Sequence, residues 1–169
     1  MNRIRLVALA APAAALAAAA AVGVTTADAA PTQSSTVALH VRATTHQFAL
    51  VDPAHDGPGV GDFLVESDDL TFGGKPSGTS GSTCSFVAAV PGTSLTCNSV
   101  VTLSLPAGQI TLQGLSDGPF GPPTTPLRAS YAVTGGTGAY RAAQGSAEVV
   151  DNPGGVETYD ITLVRHSGH

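Results

Sequence analysis

The feature that most constrains the fold of this chain is a series of short β-rich runs separated by clusters of glycine and proline. After the first thirty residues, apolar residues nowhere recur at helical spacing over three turns without an intervening Gly or Pro. Short runs spaced by turn residues are typical of all-β barrels and sandwiches. Eight such runs follow one another, at residues 36–45, 63–66, 83–90, 95–105, 109–115, 127–134, 145–150 and 156–164.

The lengths of the connections predict how these strands pair. Connections of about two to six residues join antiparallel neighbours, since a parallel crossover needs a dozen residues or more. Eight antiparallel strands that close on themselves leave no unpaired edge, and their interior holds side chains or one small ligand. We therefore predict an all-β fold, a single eight-stranded antiparallel β-barrel with its core at about residues 36–165. A chain of 169 residues fits one such domain.

The N-terminus has the parts of a secretory signal peptide. Two arginines precede an Ala-rich apolar run at residues 6–24, and a small-x-small cleavage motif ends at Ala29. We expect residues 1–29 to be removed and residues 30–169 to form the secreted, extracellular barrel domain. The alternative is a membrane anchor, since about nineteen apolar residues can just span a bilayer. No Lys or Arg cluster follows the run, so we expect no membrane attachment after cleavage.

Two cysteines, Cys84 and Cys97, lie in the part of the chain expected to be exported. An even number of cysteines in an oxidising compartment favours a disulfide. The pair flanks a Pro-Gly turn, so a bridge could link two adjacent antiparallel strands. Free buried thiols are the alternative. Two cysteines alone cannot form a structural zinc site, which takes four ligands.

The charge balance excludes two classes of partner. After residue 30 the chain has five Lys or Arg against eleven Asp or Glu, with no run of either sign. An acidic chain of this kind cannot neutralise a row of phosphates, so we expect no nucleic acid partner. The same argument disfavours binding to an anionic membrane surface.

The first predicted strand carries two polar residues of chemical interest, His40 and Arg42. They share one face, opposite three apolar residues. If the apolar set points inward, both face solvent. If a partner subunit covers the apolar face, His40 and Arg42 enter the lumen as a proton carrier and a fixed cation.

Two further polar positions are candidates for a ligand site. Asp68 follows the second predicted strand, where it either caps a turn or places a carboxylate at the barrel mouth. Tyr131 alternates with apolar residues on one face of its predicted strand, which would direct its side chain inward. Both could orient a polar group of a ligand.

Other patterns do not indicate a cofactor or a metal. The glycine-rich segment 135–138 lacks both the dinucleotide fingerprint and the Walker A lysine, so it predicts a tight turn. Asp52, His55 and Asp56 could hold a metal, but three such residues in a Pro/Gly loop are common by chance. We expect neither a metal nor a cofactor.

Four segments of the sequence resemble the allene oxide cyclase barrel-like family, including its secreted actinobacterial members, and more remotely the plant dirigent proteins. The resemblance covers roughly residues 36–165 and implies an eight-stranded barrel with an apolar lumen, assembled as a dimer or trimer. It implies no cofactor. The segments are GDFLVESDDL at 61–70, GTSGSTC at 78–84, LPAGQITLQG at 105–114 and VTGGTGAYR at 133–141.

The resemblance also suggests site residues. The Glu-x-Asn pair on the first strand of plant allene oxide cyclases falls on His40 and Arg42, their water-holding Asn on Asp68, and the family's lumen Cys on Cys84. The first-strand acid is therefore missing. The Arg of the dirigent Phe-Arg-x-Ala-Arg-Gly block is replaced by Gln144. The predicted catalytic residues are His40, Arg42 and Asp68. We also predict that Tyr131, Phe63 and Phe86 bind the ligand.

Three functional hypotheses follow. In the first, the lumen binds a hydrophobic small molecule and steers its cyclisation or coupling by restricting the conformation of the substrate. The protein would then act as an isomerase or cyclase without a cofactor, or in the manner of a dirigent protein. In the second, a non-catalytic barrel holds an apolar metabolite or assembles at the cell surface. In the third, the lumen is packed solid and function lies on the outer surface.

Overall fold

Residues 34–166 are described by the computed structural model, and they form a closed barrel of eight antiparallel strands in sequence order. The predicted signal peptide, residues 1–29, lies outside the described residues. The predicted fold is confirmed. The strands are β1 Ser34–Val51, β2 Phe63–Phe72, β3 Lys75–Val90, β4 Ser94–Leu105, β5 Gly108–Gly118, β6 Leu127–Gly136, β7 Gln144–Asn152 and β8 Val156–His166.

Several strands are longer than the sequence patterns indicated. β2 continues to Phe72 and β3 already begins at Lys75, so a tight hairpin joins them through Gly73 and Gly74. Both glycines have positive φ, +58° and +75°, which such a turn requires. The added residues are mostly polar or Gly, and backbone pairing holds them without the apolar alternation on which the prediction relied. One 3₁₀ helix, Gly138–Tyr140, lies in the connection from β6 to β7.

One half of the barrel interior is packed with aliphatic side chains. It lies where β1, β3, β5 and β7 begin and the even-numbered strands end. Each fully buried Leu, Ile or Val contributes about 1.5–3 kcal/mol to folding. The fully buried aliphatic residues are Val41, Leu70, Leu103, Ile110, Leu112, Ile161 and Leu163.

A bulge in β1 changes which residues point inward at the other end of the barrel. The pairing of β1 with β2 shifts register between Thr45 and Gln47, because one extra residue is inserted there. Before the bulge Ala43 and Thr45 point inward, and after it Phe48 does so. The bulge thus brings an aromatic side chain to the mouth of the barrel.

The predicted disulfide is confirmed. Cys84 on β3 and Cys97 on β4 are bonded, with their Cα atoms 5.1 Å apart, so the bridge links adjacent strands of one hairpin.

No helix within residues 34–166 is long and apolar enough to cross a bilayer.

Candidate functional site

The half of the barrel opposite the packed core contains an open cavity of about 650 Å³. Its walls are mainly apolar side chains from the strand ends, and a proline-rich segment, residues 119–123, lies at its mouth. Cavities of this size and lining accommodate drug-sized organic molecules. The hypothesis of a solidly packed lumen is therefore wrong for this half of the barrel and right for the other.

One wall of the cavity is aromatic and is linked by the disulfide. Phe86 is buried against Leu95 and Cys97, and its ring meets that of Phe120 edge to face with centroids 6.3 Å apart. Cys84 also lines the cavity. Aromatic pairs in this geometry add about 0.5–1.5 kcal/mol beyond the area they bury. The contact holds the proline-rich segment against the cavity wall.

Opposite this wall, at the boundary with the packed core, lies a group of carboxyl side chains that we call the acidic floor: Glu66 and Asp68 on β2, Asp151 on β7 and Glu157 on β8. Glu66 accepts a hydrogen bond of 2.6 Å from the Thr45 hydroxyl. The Tyr159 hydroxyl donates to Glu157 Oε2.

The strand register explains why these acids face one another. Glu157 pairs with Asp151 on one side and with Ala43 on the other, and Asp68 pairs with Thr45. The inward positions of β1 between β8 and β2 therefore hold only small side chains. Carboxyl groups from both sides can approach over them.

Burial and mutual repulsion hold the floor in a partly protonated state. The pKa of Glu157 is raised from 4.5 to about 8, mainly by burial. The hydrogen bond from Tyr159 opposes this rise, and the carboxylates of Glu66, Asp68 and Asp151 add to it. Burial is also the main cause of the raised pKa of Glu66, Asp68 and Asp151. At neutral pH the Glu157 carboxyl is therefore mostly uncharged.

Asp68 is the one predicted catalytic residue that the structure places inside the barrel. It is 2% exposed and accepts a hydrogen bond of 2.5 Å from the Ser80 hydroxyl. It lies at a strand position within β2 rather than in a turn, because β2 extends beyond the predicted strand. It therefore contributes to the acidic floor.

His40 and Arg42 lie on the outer face of the barrel, and neither lines the cavity. His40 Nδ1 is 2.5 Å from Asp160 Oδ1, and both side chains are more than half exposed. The two residues flank Val41, which is completely buried. The apolar side of β1 therefore faces the core, and His40 and Arg42 face away from the lumen.

The predicted ligand-binding aromatics divide in the same way. Tyr131 and Phe86 line the cavity. Phe63 does not, because on β2 the inward positions are those of its neighbour Leu64 and of Glu66.

Sequence reasoning missed Glu157, Tyr159, Glu66 and Asp151. Glu157 and Tyr159 alternate with Ile161 and Leu163 along β8, which is the same pattern that identified Tyr131. Applied to β8, that pattern would have found both.

No three His, Cys, Asp or Glu side chains within residues 34–166 are placed to share a metal ion.

Comparisons with known proteins agree with this architecture. The family model described as allene oxide cyclase barrel like domain matches residues 37–163. No curated protein matches the chain. Among solved structures, a pyocyanin demethylase is 30% identical, with a TM-score of 0.62 over 75% of this chain and 99% of that one.

Two more distant structures share the fold. AbnU, an exo-specific intermolecular Diels-Alderase, is 19% identical, with a TM-score of 0.61 over 79% of this chain and 99% of that one. The pterocarpan synthase dirigent protein GePTS1 is 16% identical, with a TM-score of 0.53 over 80% of this chain and 90% of that one.

Proposed function

This chain belongs to the allene oxide cyclase barrel-like family, and on that premise we propose that it binds a hydrophobic small molecule in the open half of its barrel. The barrel steers a cyclisation or related rearrangement of that molecule by donating a proton to it. Glu157 donates the proton and regains one from the rearranged molecule or from water, and Tyr159 positions the Glu157 carboxyl. The cavity walls fix the conformation of the substrate.

The observation that carries this proposal is an uncharged carboxyl group beneath an apolar cavity. With its pKa at about 8, Glu157 keeps its proton at neutral pH and can still give it up to a basic atom of a bound molecule. A general acid works best when its pKa lies near the working pH, and it typically contributes about 10²–10⁴-fold to a rate. Tyr159, buried and hydrogen-bonded to Glu157, fixes the orientation of that carboxyl.

Confinement supplies the second part of the proposed activity. The cavity walls around Phe86, Leu95 and Tyr131 are apolar, so a flexible hydrophobic molecule would be held in few conformations. Holding reacting atoms near attack distance can remove several kcal/mol of a barrier. Cyclisations of polyenes benefit most from such restriction.

Binding can be tested with the neutral fluorescent probe Nile red. Ser82 lines the cavity, whereas its neighbour Thr83 points outward and is exposed. We expect Ser82→Phe to reduce Nile red affinity at least about tenfold by filling the cavity, and Thr83→Phe to leave it unchanged. Equal affinities for the two variants would place the probe outside the barrel and contradict the proposal.

Conversion can be tested by mass spectrometry on pyocyanin and a panel of linear polyenes. The 30% identity to a pyocyanin demethylase makes pyocyanin the first compound to try. Turnover should fall at least about 10²-fold in Glu157→Gln and less in Tyr159→Phe. If compounds bind in the cavity and are recovered unchanged, the protein is the non-catalytic ligand-binding barrel of the second hypothesis.

We also propose that the protein is secreted. The disulfide fits an oxidising compartment. The signal-like N-terminus supports the same conclusion, although it lies outside the described residues. The intact mass of exported protein should correspond to a chain that starts at Ala30, whereas a mass that includes residues 1–29 would contradict cleavage.

We further propose that the barrels form a homo-oligomer through the outer face of β3, β4 and β5. Residues 76–116 contain no Asp, Glu, Lys or Arg, and Val100 and Leu115 on this face are 40% and 63% exposed. A second copy meets no charge on the outer face between Lys75, at the start of β3, and Asp117, near the end of β5. Light scattering should show a dimer or trimer that Val100→Lys dissociates; a monomeric wild type would contradict the proposal.

A further inference from the structure

The cavity combines apolar walls with a strong excess of acidic groups. Of its charged lining residues, Glu66, Asp117, Asp151 and Glu157 are acidic. The only basic residue among the described lining residues is Arg128, which is exposed. No cation among the lining residues compensates the floor, so its charge is available to a ligand.

Apart from the exposed Arg128 at the rim, the described residues that the strands direct toward the floor are acids or groups that cannot neutralise it. β2 supplies Glu66 and Asp68, β7 supplies Asp151, and β8 supplies Glu157 and Tyr159. The inward residues of β1, β3 and β4 in this half are not ionisable, apart from the disulfide-bonded cysteines. β5 and β6 add only Asp117 and Arg128 at the rim and the Tyr131 phenol.

Asp68 gives a separate indication that a polar partner is missing. Its carboxyl group is almost completely buried, and Oδ2 accepts the hydrogen bond from Ser80. The other oxygen, Oδ1, is buried and has no hydroxyl or amide donor among residues 34–166. The neighbouring Glu66 carboxyl can donate to the Asp68 carboxyl only when it is itself protonated. A buried, unpaired carboxylate oxygen is costly, and most such atoms in native proteins are satisfied by a donor, water or ion.

We propose that the molecule bound in this cavity has an apolar body and a basic or cationic nitrogen, which the acidic floor binds. This inference rests on the proposed function and specifies its substrate class. A nitrogen cation directed at the floor would replace mutual repulsion of carboxylates by charge-assisted contacts, and the apolar body would cover the aromatic wall. An anionic lipid or fatty acid would instead meet like charges.

The proposed recognition has a defined pH dependence. A bound cation stabilises the ionised carboxylates, so binding releases protons from the floor. Affinity for a permanent cation should therefore rise with pH as the floor ionises, with one step near the Glu157 pKa of about 8. The affinity for a neutral molecule of the same shape should not show this rise with pH.

The test uses three fluorescent tricyclic probes of similar size: the permanent cation 10-methylacridinium, its neutral isostere 9-methylanthracene, and anthracene-9-carboxylate. We expect the cation to bind at least about tenfold more tightly than the neutral isostere at about pH 8.5, with a smaller ratio at about pH 5. The anion should bind most weakly at both values. The comparison needs only the wild-type protein.

Two variants locate the effect. Glu157→Gln should remove most of the preference for the cation while keeping affinity for 9-methylanthracene. Asp160→Asn is the matched control, because Asp160 is an exposed carboxyl on the outer face of the same strand, and it should retain the preference. A cation preference lost equally in both variants would reflect general surface charge and overturn the inference.

The remaining outcomes separate this inference from the proposed function. If 9-methylanthracene and 10-methylacridinium bind with equal affinity at every pH, the inference is wrong and the cavity is still a ligand site. If the anion binds best, the inference is also wrong. If none of the three probes binds, the proposed function fails together with it.

Discussion

Glu157 is the residue at which the needs of folding and of the proposed function diverge most clearly in this barrel. A Leu or Val at its inward position would extend the aliphatic core, as Ile161 and Leu163 do further along β8. The carboxyl is instead kept uncharged by burial. The folded state therefore binds its proton more tightly than the unfolded chain does.

This difference predicts a pH-dependent stability. The raised pKa of Glu157 contributes stability that is fully present below about pH 4.5 and is lost as the pH rises through about 8. We expect the melting temperature to fall by several degrees over this interval. The corresponding loss in the free energy of unfolding is on the order of a few kcal/mol at most. Glu157→Gln should flatten the curve and be more stable than the wild type above about pH 8. Identical pH profiles for the two proteins would contradict the assigned pKa.

Gly114 supports the site from the neighbouring strand. A Cβ atom there would lie 2.4 Å from Cδ1 of Tyr131, so the tyrosine ring packs directly on the glycine backbone. Gly114→Ala should displace Tyr131 and destabilise the protein by about 1–3 kcal/mol, measured by urea unfolding. Gly81→Ala is the control, since a Cβ there meets no atom within 4 Å. Equal effects at the two positions would argue against this contact.

At the scale of elements, the β3–β4 hairpin forms the aromatic wall, and its disulfide joins residues 13 positions apart. Closing a loop of this length stabilises a fold by roughly 3 kcal/mol in the chain-entropy account. The double variant Cys84→Ala/Cys97→Ala should lower the urea midpoint accordingly, and reduction of the wild type should do the same. An unchanged midpoint would show that the hairpin holds the wall without the bridge.

The strands show where sequence patterns suffice and where they do not. All eight were predictable because each contains a short β-rich run bounded by turn residues. The end of β2 and the start of β3 were not, since residues 67–82 are mainly Ser, Thr, Gly and Asp and are held by backbone pairing. The bulge after Thr45 was also hidden, because one inserted residue changes the inward face without changing the composition.

At the scale of the whole molecule, the barrel divides into a packed half and an open half. Alternation along β1 indicated that Val41 faces the core, but it could not decide this alone, because a covering subunit would reverse the sides. Closure of eight strands decides it and places His40 and Arg42 outside. The acidic floor arises from strand register and barrel closure, since Glu66 and Asp68 on β2 are distant in sequence from Asp151 and Glu157 on the β7–β8 hairpin.

The most direct test of the account is a carboxyl NMR titration of the protein labelled with ¹³C at its glutamates, with and without 9-methylanthracene. The chain has only three, Glu66, Glu148 and Glu157, and Glu148 is exposed on the outer face and serves as an internal reference. The account predicts one glutamate with a pKa of about 8, absent in Glu157→Gln, and probe-induced shifts at Glu66 and Glu157 but not at Glu148. A Glu157 carboxyl that titrates near 4.5, with no probe-induced shift at Glu66 or Glu157, would contradict both the buried acid and the proposed ligand site above it.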